Sequence, residues 1–248
     1  MRIYVFDRKK HYVAELVIKC VFVLFVSLSI SFGVVLRGFG EELFIEAINT
    51  ENGNIIILDA GHGGEDCGAV GKGDIYEKDL NLSIALEMGR IFEEKGYAVI
   101  YTRTDDRLLY KPEENIKGIR KISDLKNRCK VAAEYPEATF VSIHMNSFGD
   151  SRYSGLQVYY SEKAEESRML AQSIQSTVKE QLQNDNNRSI KAGRNIYVLE
   201  NVTNTAVLVE CGFLSNENEC EKLSQKEYQK ELSFSIVCGI IKYIEEKE

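Results

Sequence analysis

From Ile55 onward the chain alternates short, uninterrupted apolar runs with longer segments whose apolar residues recur at helical spacing. Ile55-Ile56-Ile57-Leu58 reads as a strand buried on both faces, followed by a glycine-rich turn. The spacing of Leu80, Ile84, Met88, Ile91 and Phe92 predicts a helix over Lys78 to Lys95, stopped by Gly96. Ala98 to Thr102 is the next strand, and a helix over about Ser123 to Glu134 leads to the strand Thr139 to Ile143. Leu156 to Tyr160 reads as a strand, after which Leu170, Ile174, Val178 and Leu182 form one helical stripe. Ile196 to Leu199 and Ala206 to Val209 read as two further strands. The last helix opens on a capping box, Ser224 with Glu227, and buries Leu232, Ile236, Ile240 and Ile244. Strands that are apolar throughout are covered on both faces. The expected fold is therefore α/β, a mostly parallel twisted sheet with helices on both faces. In such sheets ligands gather at the carboxyl ends of the strands.

The first fifty residues follow a different logic. Arg2, Arg8, Lys9, Lys10 and Lys19 precede an uncharged run of 17 residues from Cys20 to Leu36. That length is short for a membrane span and long for a signal-peptide core. A buried core helix fits less well, because nothing in the run is polar beyond serine. The basic flank stays in the cytoplasm and sends the chain from Arg37 onward across the membrane. Ser31-Phe32-Gly33 is a passable cleavage site but lies inside the apolar run, so an uncleaved signal anchor is favoured over a cleaved signal peptide. The expected organisation is a cytoplasmic basic segment (1–19), the anchor or signal peptide (20–36), a linker (37–53) and one domain (54–248). The domain has about 195 residues, enough for a substantial core.

Charge then narrows the partners. The net charge of −7 is unevenly placed, since residues 37–248 hold 26 basic against 36 acidic side chains. A body that acidic is unsuited to nucleic acid, whose binding depends on neutralising phosphates. Six cysteines without a C-x-x-C pair point to mostly free, partly buried thiols.

The domain contains two histidines, His62 and His144, each just past a predicted central strand. On parallel strands they would converge on one edge of the sheet. Either alone reads as an ordinary surface or core histidine, but the pair at the ligand-binding edge points to a metal. Catalytic zinc sites take three protein ligands and keep one open position. The third ligand must be a carboxylate, because no other histidine or suitably placed cysteine remains. Glu77 is the best candidate, with Asp74 and Asp79 as rivals, and an acid in a first helical turn is also explained by the helix dipole alone. Glu210 closes the apolar strand VLVE, where a salt bridge explains it less well than an active-edge acid/base does. The glycines of AGHGG lack the G-K-[ST] of a phosphate loop, so Gly61 and Gly63 read as a tight turn that lets His62 face the site. Cys211 as a nucleophile lacks a dedicated base and alternates away from Glu210.

LDAGHGGEDCGAVGKGDIYEKDLNL, TRTDD, FVSIHMNS, SGLQVYY and AVLVECGFLSN occur in this order and cover nearly the whole domain. Together they resemble the zinc-dependent N-acetylmuramoyl-L-alanine amidases of bacterial cell-wall turnover. The resemblance implies that His62, Glu77 and His144 bind zinc, that Glu210 is the catalytic acid/base and that Asn146 contacts substrate. It selects Glu77 over Asp74 and Asp79. Cys67, Met145 and Ala206 stand where the family usually has other residues, and none is an implied ligand. The absence of wall-binding repeats and the NIYVLENV and SGLQVYY stretches look most like the germination-specific amidases of endospore-forming bacteria. That likeness implies cleavage between muramic acid and L-alanine of peptidoglycan stem peptides during spore cortex modification, before muramic-δ-lactam forms. It also implies an exported enzyme that faces the wall or cortex, held by its N-terminal segment, with a protein activator as a further possible partner. Two other classes stand beside this: another cell-wall zinc hydrolase, such as a peptidase or deacetylase, and a non-catalytic wall-binding regulator.

Overall fold

The computed structural model describes residues 55–110, 113, 116 and 119–247. The basic segment, the anchor or signal peptide and the linker expected within residues 1–53 lie outside the described residues. Among the described residues no helix is long and apolar enough to cross a membrane. In chain order the first elements are β1 (Ile55–Ala60), β2 (Val70–Gly71), β3 (Ile75–Tyr76), α1 (Glu77–Glu94), β4 (Ala98–Tyr101), α2 (Arg120–Glu134) and β5 (Thr139–Asn146). There follow β6 (Gln157–Tyr160), α3 (Glu165–Gln181), β7 (Lys191–Ala192), α4 (Tyr197–Asn201), β8 (Ala206–Phe213), α5 (Glu217–Ser224) and α6 (Lys226–Lys247).

Six strands make one sheet in the order β4-β1-β5-β8-β6-β7, while β2 and β3 form a separate small hairpin. β4, β1, β5 and β8 run parallel, and β6 joins β8 antiparallel. The apolar strands separate two cores by simple alternation. Ile56, Leu58, Val141, Ile143, Val207 and Val209 pack in the larger cluster with residues of α1, α3 and α6. Ile57, Phe140, Ala206 and Leu208 point to the opposite face, where Ala132 of α2 and Val198 and Leu199 of α4 cover them. Helices therefore lie on both faces, as the uninterrupted apolar runs require.

Two local expectations are corrected. Ile196 to Leu199 is not a strand: Tyr197–Asn201 is a short helix. Asn195 takes φ +65, and Ile196 N donates back to Gly193 O at 3.2 Å, which turns the chain out of the extended form. A four-residue apolar run buries equally well as one helical turn, and periodicity cannot separate the two. The capping box Ser224–Glu227 is also absent. Ser224 ends α5, and its hydroxyl donates backward to Glu221 O at 2.6 Å. The side-chain cap in this region is Asn216, which accepts from Glu219 N at the start of α5.

Candidate metal and active site

β1 and β5 are neighbouring parallel strands in register Ala60↔Ile143, so the residues just beyond them meet at the same edge. His62 leaves β1 through Gly61, whose N–H donates to Ile143 O at 3.0 Å. A Cβ on Gly61 would overlap the His144 ring, so only glycine lets the two segments approach this closely. His62 itself is held at φ +60, in the left-handed region. The two imidazoles stand edge to face with centroids 5.0 Å apart. Glu77, the buried first residue of α1, completes the group. Its Oε1 lies 3.2 Å from His62 Nε2 and 2.9 Å from His144 Nδ1. It also accepts from Met145 N at 3.0 Å, while Oε2 accepts from Ala69 N at 2.7 Å. The ligand-capable atoms of these three residues all lie within 4.8 Å of one another. Asp74 and Asp79 are not part of this group.

Electrostatics sharpen the picture. Burial disfavours charge on both His62 and Glu77, but their mutual contacts win. His62 is raised to about 9 by Asp66 and Glu77 despite its desolvation. The Glu77 carboxyl is held well below its usual range by His144 and His62. Two imidazole nitrogens aimed at one carboxylate oxygen make a pocket for positive charge. Asp66, 3.0 Å from His62 Nδ1, is the kind of outer carboxylate that orients a ligating imidazole. Asp66 carried no signal in the sequence beyond its nearness to His62.

Glu210 sits on β8 directly opposite His144 in register. Its Oε2 is shut from solvent and has no hydrogen-bond partner. Burial raises its carboxyl to about 7, the nearby imidazole of His144 opposing and Glu77 adding to the shift. Cys211, the next residue, packs in the larger core with its thiol pushed up by burial, which disqualifies it as a nucleophile. Between His144 and Asn146 the β5–β8 pairing slips, because Asn146 pairs with Phe213 rather than with Gly212. Such bulges re-aim side chains beside active sites. Asn146 shares the strand face of His144 by alternation, and its backbone carbonyl accepts from Leu214 N at 2.8 Å.

Two buried arginines brace this edge from below. Arg128 donates to Ala60 O at 2.7 Å and His62 O at 2.8 Å, and pairs with Asp59 at 2.6 Å and Asp124 at 2.8 Å. Arg103 donates to Ala60 O at 2.9 Å, Gly61 O at 3.0 Å and Lys78 O at 2.7 Å. The backbone carbonyls around His62 thus have charged partners, which fixes the loop that presents the imidazole.

The N-acetylmuramoyl-L-alanine amidase family model matches residues 56–242, and the chain belongs to that family. The chain is similar to the germination-specific N-acetylmuramoyl-L-alanine amidase of Bacillus subtilis, with 39% identity over 198 residues, 79% of this chain and 82% of that protein. Among solved structures, it is similar to the CwlD amidase of Clostridioides difficile in complex with the GerS lipoprotein, at 42% identity and a TM-score of 0.74. That match covers 77% of this chain and 98% of the other. A second is the N-acetylmuramoyl-L-alanine amidase of Clostridium difficile 630, at 32% identity and TM-score 0.70, covering 80% and 100%. The sheet order, helices on both faces and family membership agree with the fold and enzyme class expected from the motifs. The peptidase, deacetylase and non-catalytic alternatives give way to an N-acetylmuramoyl-L-alanine amidase.

Proposed function

We propose that His62, Glu77 and His144 hold a zinc ion and that Glu210 is the acid/base of muramoyl-L-alanine amide hydrolysis in peptidoglycan. The observation that carries this is the three-residue cluster, with ligand-capable atoms within 4.8 Å, opposite the half-buried Glu210, whose Oε2 is shut from solvent without a hydrogen-bond partner. The donor set suits zinc, being two imidazoles and one carboxylate. Gly68 adds to the fit, since a Cβ there would overlap Glu77 Oε2 and crowd His62.

Bound zinc supplies Lewis acidity that polarises a carbonyl and makes water a better nucleophile near neutral pH. The chain supplies the proton traffic. Glu210 accepts a proton from the attacking water and delivers it to the leaving alanine nitrogen, a task suited to a carboxyl raised to about 7. Asn146, on the strand face of His144, contacts the substrate near the scissile amide. Asp66 sets a negative charge 3.0 Å from His62 Nδ1, on the side of the ring away from Glu77.

The likeness to the germination-specific amidase of Bacillus subtilis supports a role in the spore cortex, ahead of muramic-δ-lactam formation and needed for germination. Residues 1–36 export and hold the chain, the linker 37–53 spaces it from the membrane, and 54–248 is the catalytic domain. The lipoprotein partner of the Clostridioides difficile relative supports a protein partner for this chain outside the membrane.

Metal analysis of His62→Ala and His144→Ala tests the ligand set. Each variant is expected to lose zinc, because two remaining ligands hold it poorly. Stoichiometric zinc in either would remove that histidine from the set.

A further inference from the structure

Beside the catalytic edge the loop after α3 carries Arg188, which none of the roles above uses. Its Nε and Nη2 both donate to Gln157 Oε1, at 3.3 and 2.8 Å. Its guanidinium lies 4.6 Å over the Phe213 ring and 5.9 Å from Tyr153, in cation–π contact. Gln157 pairs in register with Glu210, which places the arginine next to the acid/base. The loop is pinned as well: Arg188 N donates to Asn186 Oδ1, and the buried Asn186 amide donates to Leu156 O at 2.9 Å.

Among the described residues no carboxylate forms an ion pair with Arg188. Glu219 lines the same open cavity of about 570 Å³, but its oxygens accept from Gly155 N and Phe213 N, each at 2.8 Å. A guanidinium withdrawn from water gains from a carboxylate partner. Here it is oriented by an amide and a ring, with Nη1 uncommitted, and it faces a cavity rich in side-chain amides such as Asn186, Asn187 and Asn216.

Resting on the amidase reading, we propose that this cavity binds the peptide arm of the substrate and that Arg188 takes a free carboxylate of that arm. The charge of the substrate decides which arm. The lactyl carboxyl of muramic acid is consumed in the scissile amide, and the rest of the glycan is uncharged. The carboxylates of intact substrate therefore lie on the peptide side. A planar guanidinium held in place is suited to two-point carboxylate recognition, which lysine does not reproduce.

The test compares two substrates on the purified full-length, zinc-loaded protein: N-acetylmuramoyl-L-alanyl-D-glutamate and the same compound with both glutamate carboxyls amidated. The unaltered protein should favour the acid in kcat/KM by about tenfold or more, the scale of a charge-assisted hydrogen bond. Arg188→Gln should bring the ratio near one, with zinc content unchanged and the fold retained, and Arg188→Lys should restore only part of it. Equal turnover of both substrates by the unaltered protein overturns the proposal without any variant. A preference that survives in Arg188→Gln overturns it too, as does an equal loss on both substrates, which would mean that Arg188 acts only through Glu210. If the zinc-loaded protein releases no alanyl peptide from either substrate, the amidase reading itself fails and this inference falls with it.

Discussion

Glu77 and Glu210 both lie near the imidazoles of His62 and His144, and their surroundings push the two carboxyls in opposite directions. Glu77 is buried but stays ionised, since its oxygens accept two backbone N–H groups and face both histidines. Glu210 is raised to about 7 because desolvation of its side chain is not offset by any hydrogen bond to Oε2. Glu210→Gln should therefore keep zinc and fold while losing turnover by ~10²–10⁴-fold, the scale of general acid–base catalysis. Glu77→Gln should instead lose zinc, because a neutral amide is a poorer ligand. Zinc content measured beside the amidase rate on muramyl peptide checks both. Zinc lost from the first variant and kept by the second would mean that the roles are reversed. At this scale the sequence shows the histidines clearly, because both follow apolar strands and the domain has no others. Choosing Glu77 over Asp74 and Asp79 needed the family motif. The buried Arg103 and Arg128 and the half-buried Arg188 were hidden, since arginine is normally exposed and nothing in local spacing signals otherwise.

At the scale of elements, α2 meets the sheet through a polar stripe rather than an apolar one. Ser123, Asp124, Arg128 and Ala132 are its buried residues, and Arg128 reaches Asp59 on β1. Burial opposes ionisation of Asp59, but Arg128 and the hydroxyls of Ser142 and Thr102 outweigh it and hold the carboxyl below its usual value. The folded value is depressed, so the stabilisation is complete above the unfolded value of about 3.8 and is lost as pH falls from there through the folded value. Asp59→Asn should cost ~3 kcal/mol at neutral pH, because it leaves a buried guanidinium underpaired. Urea unfolding from pH 7 to pH 3 checks this: the gap between the two proteins should narrow below about 3.8. A gap that is absent at pH 7 or constant with pH would show that the pair is not coupled to folding. The long elements were legible because their periodicity extends over many residues. The misread segments, Ile196 to Leu199 and Ser224 to Glu227, were short ones, in which one turn or one hydrogen bond decides the conformation. The hairpin of β2 and β3 has two residues per strand, too few to show alternation.

In the whole molecule a segment rich in basic residues and an apolar run precede the region that matches the amidase family. A reporter active only outside the cytoplasm, fused after residue 53, should be active, since the basic flank should remain inside. Activity from a cytoplasm-dependent reporter instead would reverse the topology, and a mature protein beginning beyond Leu36 would favour cleavage over anchoring. The most direct test of the central claim is the chemical identity of the ends that the purified full-length protein creates in peptidoglycan. Digests with zinc present, after complete chelation and after zinc is restored should be labelled for new amino termini and new reducing ends, with released acetate measured alongside. The account predicts N-terminal alanine as the new end, with no new reducing ends and no acetate, lost on chelation and regained with zinc. New termini from within the stem peptide, or alanine release that continues unchanged without zinc, would contradict it.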